Sequence, residues 1–216
     1  MTHEEFEVLW LKSLRDEAAD TVDLLSGARK QERERRTCAA FLRCAGVDFT
    51  ADQIVSSTTE PPDVVFRQAL FEITIVLPPS RRMHAEWKAT TVRRTSAQRI
   101  ENLIEPYAPP EVLTRETLVH LIAPTSGYKS ERYSARNMDC ARYDLLVYVN
   151  QNAVLQPQSP DPNIDAVLRH GWRSLSVLLP PLSYVIFATS EAPMWLRDIA
   201  GTPQAASPSA TGLFDL

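Results

Sequence analysis

The sequence predicts an α/β fold of three layers, a mixed sheet of about four or more strands flanked by helices on both faces. Three observations carry this. Elements read in the order helix, helix, hairpin, helices, strand, helix, strand. The segment Leu70–Leu77 is apolar on both alternating sets of positions, as a strand covered on both faces must be. A second aliphatic run, Tyr143–Asn150, repeats that character far along the chain.

Residues 4–25 place Phe6, Leu9, Trp10, Leu14 and Ala18 at helical spacing, and Ser26-Gly27 breaks the pattern. A second helix runs from about Ala28 to Ala45, with Cys38, Phe41, Leu42 and Ala45 on one face and Gly46 as its stop. Glu34 lies one turn before Cys38 on the same face. Pro61-Pro62 stiffens the approach to a hairpin whose strands are Asp63–Phe66 and Ala69–Leu77, turning at Arg67-Gln68. Glu72 and Thr74 then point to one face, because strand side chains alternate.

Residues 82–105 read as a helix broken near Thr90-Thr91, and 110–122 and 128–140 as two more, separated by a Thr125-Ser126-Gly127 loop. A Pro/Gln/Asn-rich loop spans Gln151–Pro162. Ile164, Val167, Leu168, Gly171, Trp172, Leu175, Leu178 and Leu179 form a helical stripe. Leu182–Thr189 is the last strand and Pro193–Ile199 a short helix. Residues 1–200 are read as one domain with an N-terminal helical segment, and 201–216 as a disordered tail.

Composition excludes several classes. At 44% hydrophobic and 23% charged residues, the 216-residue chain is ordinary for a soluble globular protein. No apolar run reaches the ~20 residues of a membrane span. The acidic N-terminus lacks the regions of a signal peptide. The three cysteines, Cys38, Cys44 and Cys140, suit buried thiols in a reducing cytosol. With 6 glycines and no Gly-rich phosphate loop, a dinucleotide site is not expected. A net charge of -4 hides polarity: residues 1–25 carry −5, residues 29–43 carry +4 and residues 81–99 carry +5. Local basic faces attract phosphate whatever the net charge, so Arg81, Arg82, Arg93 and Arg94 are candidate nucleic-acid contacts. A solvated helix face explains the same run.

The hairpin brings two carboxylates together. Asp63 opens its first strand, and Glu72 interrupts the apolar second strand, where a charge is costly unless paired or bound to a cation. Converging carboxylates suit a hard divalent ion such as Mg²⁺. The structural alternative makes Asp63 a turn residue and pairs Glu72 with Arg67, Arg81 or an arginine of the second helix. Pro62-Asp63 followed by Glu72-Ile73-Thr74 resembles the PD-(D/E)xK, restriction-endonuclease-like superfamily, with Thr74 where that pattern has Lys. The chain from about residue 30 to 190 also looks like a bacterial family of unknown function whose members are labelled putative endonucleases.

The resemblance implies a restriction-endonuclease-like sheet. It implies Asp63 and Glu72 as ligands of Mg²⁺ or Mn²⁺, the Ile73 carbonyl as a third oxygen, and Glu34 as a further carboxylate from the second helix. Thr74 can hold a water but brings no charge. Lys129 or Lys88 would then supply it. The expectation is a cytoplasmic metal-dependent nuclease acting on nucleic acid, compatible with a homo-oligomer and with no membrane partner. The alternatives are an inactive nuclease fold that binds nucleic acid or protein, and an unrelated α/β interaction protein.

Overall fold

The computed structural model describes residues 2–78 and 82–206. The chain folds as two compact units, residues 1–33 with 77–109, and residues 34–76 with 110–216. Each unit is built by chain segments distant in sequence. Arg81 and residues 207–216 of the expected tail lie outside the described residues.

The first unit is helical. α1 (His3–Leu24) starts at Thr2, whose side chain caps Glu5 while Glu5 returns the bond in a capping box. α3 (Met83–Ser96) runs unbroken through Thr90-Thr91, and a 3-10 turn at Ile100–Leu103 follows it. The two helices are tied by Arg15, which donates to the Arg94 and Ala97 carbonyls at 3.0 and 2.7 Å.

The second unit holds the sheet. α2 (Lys30–Cys44) leads through β1 (Ile54–Ser56) into the hairpin β2 (Val64–Phe66) and β3 (Ala69–Val76). Then come β4 (Glu111–Leu113), α4 (Arg115–Ser134), β5 (Asp144–Val149), β6 (Ala153–Leu155) and α5 (Asp165–Leu168). β7 (Ser174–Leu179), β8 (Leu182–Ala188), α6 (Met194–Asp198) and β9 (Gln204–Ala205) complete the described chain. The main sheet has the order β1-β2-β3-β5-β7-β8-β9, and β4 pairs with β6 in a small separate sheet. β1-β2-β3 are antiparallel, β3-β5-β7 parallel, and β8 and β9 antiparallel again, so the sheet is mixed as expected.

Alternation along β3 and β5 separates two cores. Val76, Leu145, Val147 and Val149 pack against Leu118, Val119, Ile122 and Tyr133 of α4. Phe71, Ile73 and Leu146 pack on the other face against Cys38, Phe41 and Leu42 of α2 and Leu196 of α6. The three cysteines are buried and unpaired.

Four expectations are corrected. The stripe from Ile164 to Leu179 is not one helix: α5 ends at Leu168, Gly171 takes a left-handed φ of 75°, and Ser174–Leu179 is a strand. Every residue of β7 is buried, Ser174 and Ser176 included, and its Leu175, Leu178 and Leu179 match helical spacing by coincidence. The helices expected at 110–122 and 128–140 are one helix, α4, which passes through Pro124 and Gly127. The loop expected at Gln151–Pro162 contains β6. The expected tail begins with a strand, because β9 pairs Gln204 with Ser183 and so gives the edge of β8 a partner.

Candidate functional site

The hairpin is closed by a two-residue turn, since Phe66 faces Ala69 across it. Arg67 sits there at φ 52°, held by its bond to the Asp48 carbonyl at 2.7 Å. The ladder's register continues from Val64 opposite Phe71 to Asp63 opposite Glu72. At that point the Asp63 carboxylate takes over a backbone role: its Oδ2 accepts the Ile73 N–H at 2.8 Å. The carboxylate is thereby fixed against β3 beside Glu72. Both acids are buried, 7% and 8% exposed, where an unpartnered charge is costly.

The charge facing Glu72 comes from α4. The Lys129 ammonium forms an ion pair with Glu72 Oε1 and also donates to the Ile73 carbonyl at 3.3 Å. Glu72 is therefore paired with a helix lysine, not with Arg67 or an arginine of α2. Lys129 projects from the C-terminal third of a 20-residue helix packed on the sheet. Thr74 shares the face of Glu72, one alternate position along β3.

One turn further along α4, Tyr133 is buried between Tyr143 and Trp172, with ring centroids at 5.6 and 5.2 Å. Burial, reinforced by the carboxylates of Glu72 and Asp63, pushes its phenol well above the ordinary range, so it stays protonated. Tyr133 is not placed at the site from sequence; its spacing of four from Lys129 is the signal that puts both on one helix face.

Glu34 is not assembled with this pair. It is buried on α2, which covers the face of Phe71 and Ile73, opposite to that of Glu72. Among the described residues, no group of three or more His, Cys, Asp and Glu side chains could hold a metal ion. The expected three-carboxylate set thus reduces to Asp63, Glu72 and the Ile73 carbonyl. That set still fits a hard cation, since all its donors are oxygens. The Lys129 ammonium places one positive charge on Glu72 and the Ile73 carbonyl.

The candidate nucleic-acid arginines are in the first unit. Arg82 precedes α3 and is exposed. Arg93 is ion-paired with Glu105. Arg94 is largely spent on structure: it bonds Glu17 at 2.9 Å and the Leu14 carbonyl at 2.8 Å, and lies over the Trp87 ring. Lys88 also belongs to this unit, on α3.

A second buried acid, Asp144 at the head of β5, is not singled out by sequence reasoning. It is fully satisfied by Arg173, Ser174 and the Leu70 N–H, a structural clasp and not an open site. An acid at the start of an aliphatic run, as at Glu72, is the available signal.

A family model described as "Putative endonuclease, protein of unknown function" matches residues 6–205. A solved structure of a protein of unknown function from Pseudomonas aeruginosa strain PAO1, described as of the monooxygenase superfamily, is 30% identical. Its match covers 100% of both chains with a TM-score of 0.67. No curated protein matches the chain. No helix of the described residues is long and apolar enough to cross a membrane.

Proposed function

We propose, for a chain that belongs to this family of putative endonucleases of unknown function, that it is a metal-dependent phosphodiesterase of the restriction-endonuclease-like kind acting on nucleic acid. The observation that carries the reading is the meeting of Asp63, Glu72, the Ile73 carbonyl and the Lys129 ammonium at the end of the hairpin. Thr74 offers no charge, which by itself favours an inactive nuclease fold. Lys129 supplies that charge from α4 and weighs against the inactive reading.

In this reading Asp63 and Glu72 hold Mg²⁺ or Mn²⁺ with the Ile73 carbonyl. A bound divalent ion supplies an activated water, neutralises the phosphate and stabilises the leaving oxygen. The chain's own residues set the geometry. The Ile73 N–H fixes the Asp63 carboxylate, so its orientation does not depend on ligand. β3, anchored between β2 and β5, fixes Glu72 and presents the carbonyl of the next residue. Lys129, on a helix rather than a loop, reaches the scissile phosphate or its attacking water as a point charge. Thr74 offers a hydroxyl to the same water. The buried aromatic wall of Tyr133, Tyr143 and Trp172 lowers the local dielectric and strengthens these charges.

The test is cleavage of single- and double-stranded DNA and RNA by the purified full chain with Mg²⁺ or Mn²⁺. Activity should require the metal and fall by about 100-fold or more in Asp63→Ala and Glu72→Ala, the scale of losing a key electrostatic group. Metal-dependent activity that survives both substitutions would sink the assignment, as would a wild type inert on all four substrates.

A further inference from the structure

We infer that Lys129 is the site's own exchangeable cation, competing with the divalent ion for the same oxygens, so that metal loading requires the lysine to step off. The inference rests on the metal-site reading above and concerns its regulation. The Lys129 ammonium donates to two of the groups assigned to the metal, the Glu72 carboxylate through Oε1 and the Ile73 carbonyl. An ammonium and a divalent ion cannot share these oxygens at bonding distance without strong like-charge repulsion. Glu72 Oε1 and the Ile73 carbonyl therefore cannot serve both cations at once.

Three features suit Lys129 to exchange. Its head group ends a flexible four-carbon stem, unlike a planar guanidinium held in a fixed fork. Its side chain keeps 17% of its exposure against 10% for Glu72, so the cation is the member of the pair with the better route to water. Exchange leaves the Asp63 carboxylate in place, because the Ile73 N–H holds it independently of either cation. The lysine-closed state is thus a resting state with Glu72 neutralised.

Competition has a quantitative consequence. Apparent metal affinity falls in proportion to the fraction of molecules whose site is open. A lysine that closes the site nine-tenths of the time weakens binding about tenfold. Calorimetric titration of the full chain with Mn²⁺ alone should therefore show Lys129→Met binding one ion about tenfold or more tightly than wild type. Adding Asp63→Ala to Lys129→Met should abolish that gain.

Equal binding by wild type and Lys129→Met would overturn the competition while leaving the metal site standing. So would weaker binding by the variant, which would make the lysine a supporter of the metal. Binding by neither protein would overturn the metal-site reading and this inference together. Should Lys129→Met fail to fold, the wild type decides alone. In its ¹⁵N spectrum the Lys129 ammonium should be protected without metal and lose that protection on saturation with Mg²⁺. An ammonium signal indifferent to Mg²⁺ that has measurably bound would refute the exchange.

Discussion

Asp144 has no exposed surface, and its two oxygens accept from four donors: the Leu70 N–H at 2.9 Å, the Ser174 hydroxyl at 2.7 Å, and Nε and Nη2 of Arg173. Arg173 also reaches the Gln68 carbonyl in the hairpin turn at 3.1 Å. One side chain thus registers the starts of β3, β5 and β7. A buried pair contributes little when compared with a well-packed apolar pair, but removing one member leaves a buried charge uncompensated. Asp144→Ala should therefore lower unfolding free energy by about 3–5 kcal/mol, and Asp144→Ala with Arg173→Met should recover part of the loss. Urea denaturation followed by circular dichroism measures both; a single-variant loss below about 1 kcal/mol would contradict the clasp. Glu72 differs from Asp144 in this respect. It is paired with a lysine that has access to water, whereas Asp144 is held by a bidentate guanidinium and two further donors, an arrangement suited to permanence.

At the scale of the element, α4 decides the site. Its inner face carries Ser126, Lys129, Ser130 and Tyr133, polar residues at helical spacing where an apolar stripe would ordinarily fall. That is why Thr125-Ser126-Gly127 reads as a break in the sequence. The helix continues because each of these groups finds a partner or a packed wall. Ser126 contacts His170 Nδ1 at 3.0 Å and accepts the Trp172 indole N–H on its carbonyl at 3.3 Å; Ser130 donates to the His170 carbonyl at 2.7 Å. Burial lowers the His170 pKa below its ordinary value of 6.5, assisted by Arg169. Gly127 suits this packing, because a Cβ there would lie 3.0 Å from His170 Nε2. Alanine normally stabilises a helix by about 1 kcal/mol relative to glycine. Gly127→Ala should forfeit that gain in the wild-type background and destabilise the protein, but stabilise it by about 0.5–1 kcal/mol in a His170→Ala background. Unfolding midpoints of the four proteins close the cycle. An identical effect of Gly127→Ala in both backgrounds would exclude the steric account.

The two units differ in how much core each possesses. In the first, the buried apolar residues among those described are Leu11, Ala18 and Ala97, while Val8, Leu9, Val92, Ile104 and Tyr107 are exposed. In the second, two clusters cover both faces of a seven-stranded sheet. Local stability follows buried apolar contact. Amide hydrogen exchange should therefore show α1 and α3 opening at free energies about 2 kcal/mol or more below those of β3, β5 and β7. Equal protection across both units would show that the first draws its stability from something other than its own core. The same contrast puts Asp63, Glu72 and Lys129 in the better-packed unit, where their geometry can be held.

Local chemistry is enough to read the hairpin, the aliphatic strand at 143–150, the last strand and the pairing of Asp63 with Glu72. Each depends on alternation, proline placement or turn residues within a few positions. It is not enough for β7, whose Leu175, Leu178 and Leu179 also fit helical spacing, nor for α4, whose polar inner face hides its continuity. β1, β4, β6 and β9 escape it because two- and three-residue strands exist only through their partners. Lys129 can be named from sequence as one of two lysines able to replace the charge missing at Thr74, but its pairing cannot. It stands 57 positions from Glu72, and only the packing of α4 on β3 and β5 brings them together. Glu34 shows the reverse: its helix is legible in the sequence, and the sheet then separates it from Glu72 by placing α2 on the opposite face. The sequence by itself thus determined which groups were costly to bury. Only the tertiary structure decided which groups would meet, because that depends on the sheet face each element covers, and the periodicity of no single segment contains it.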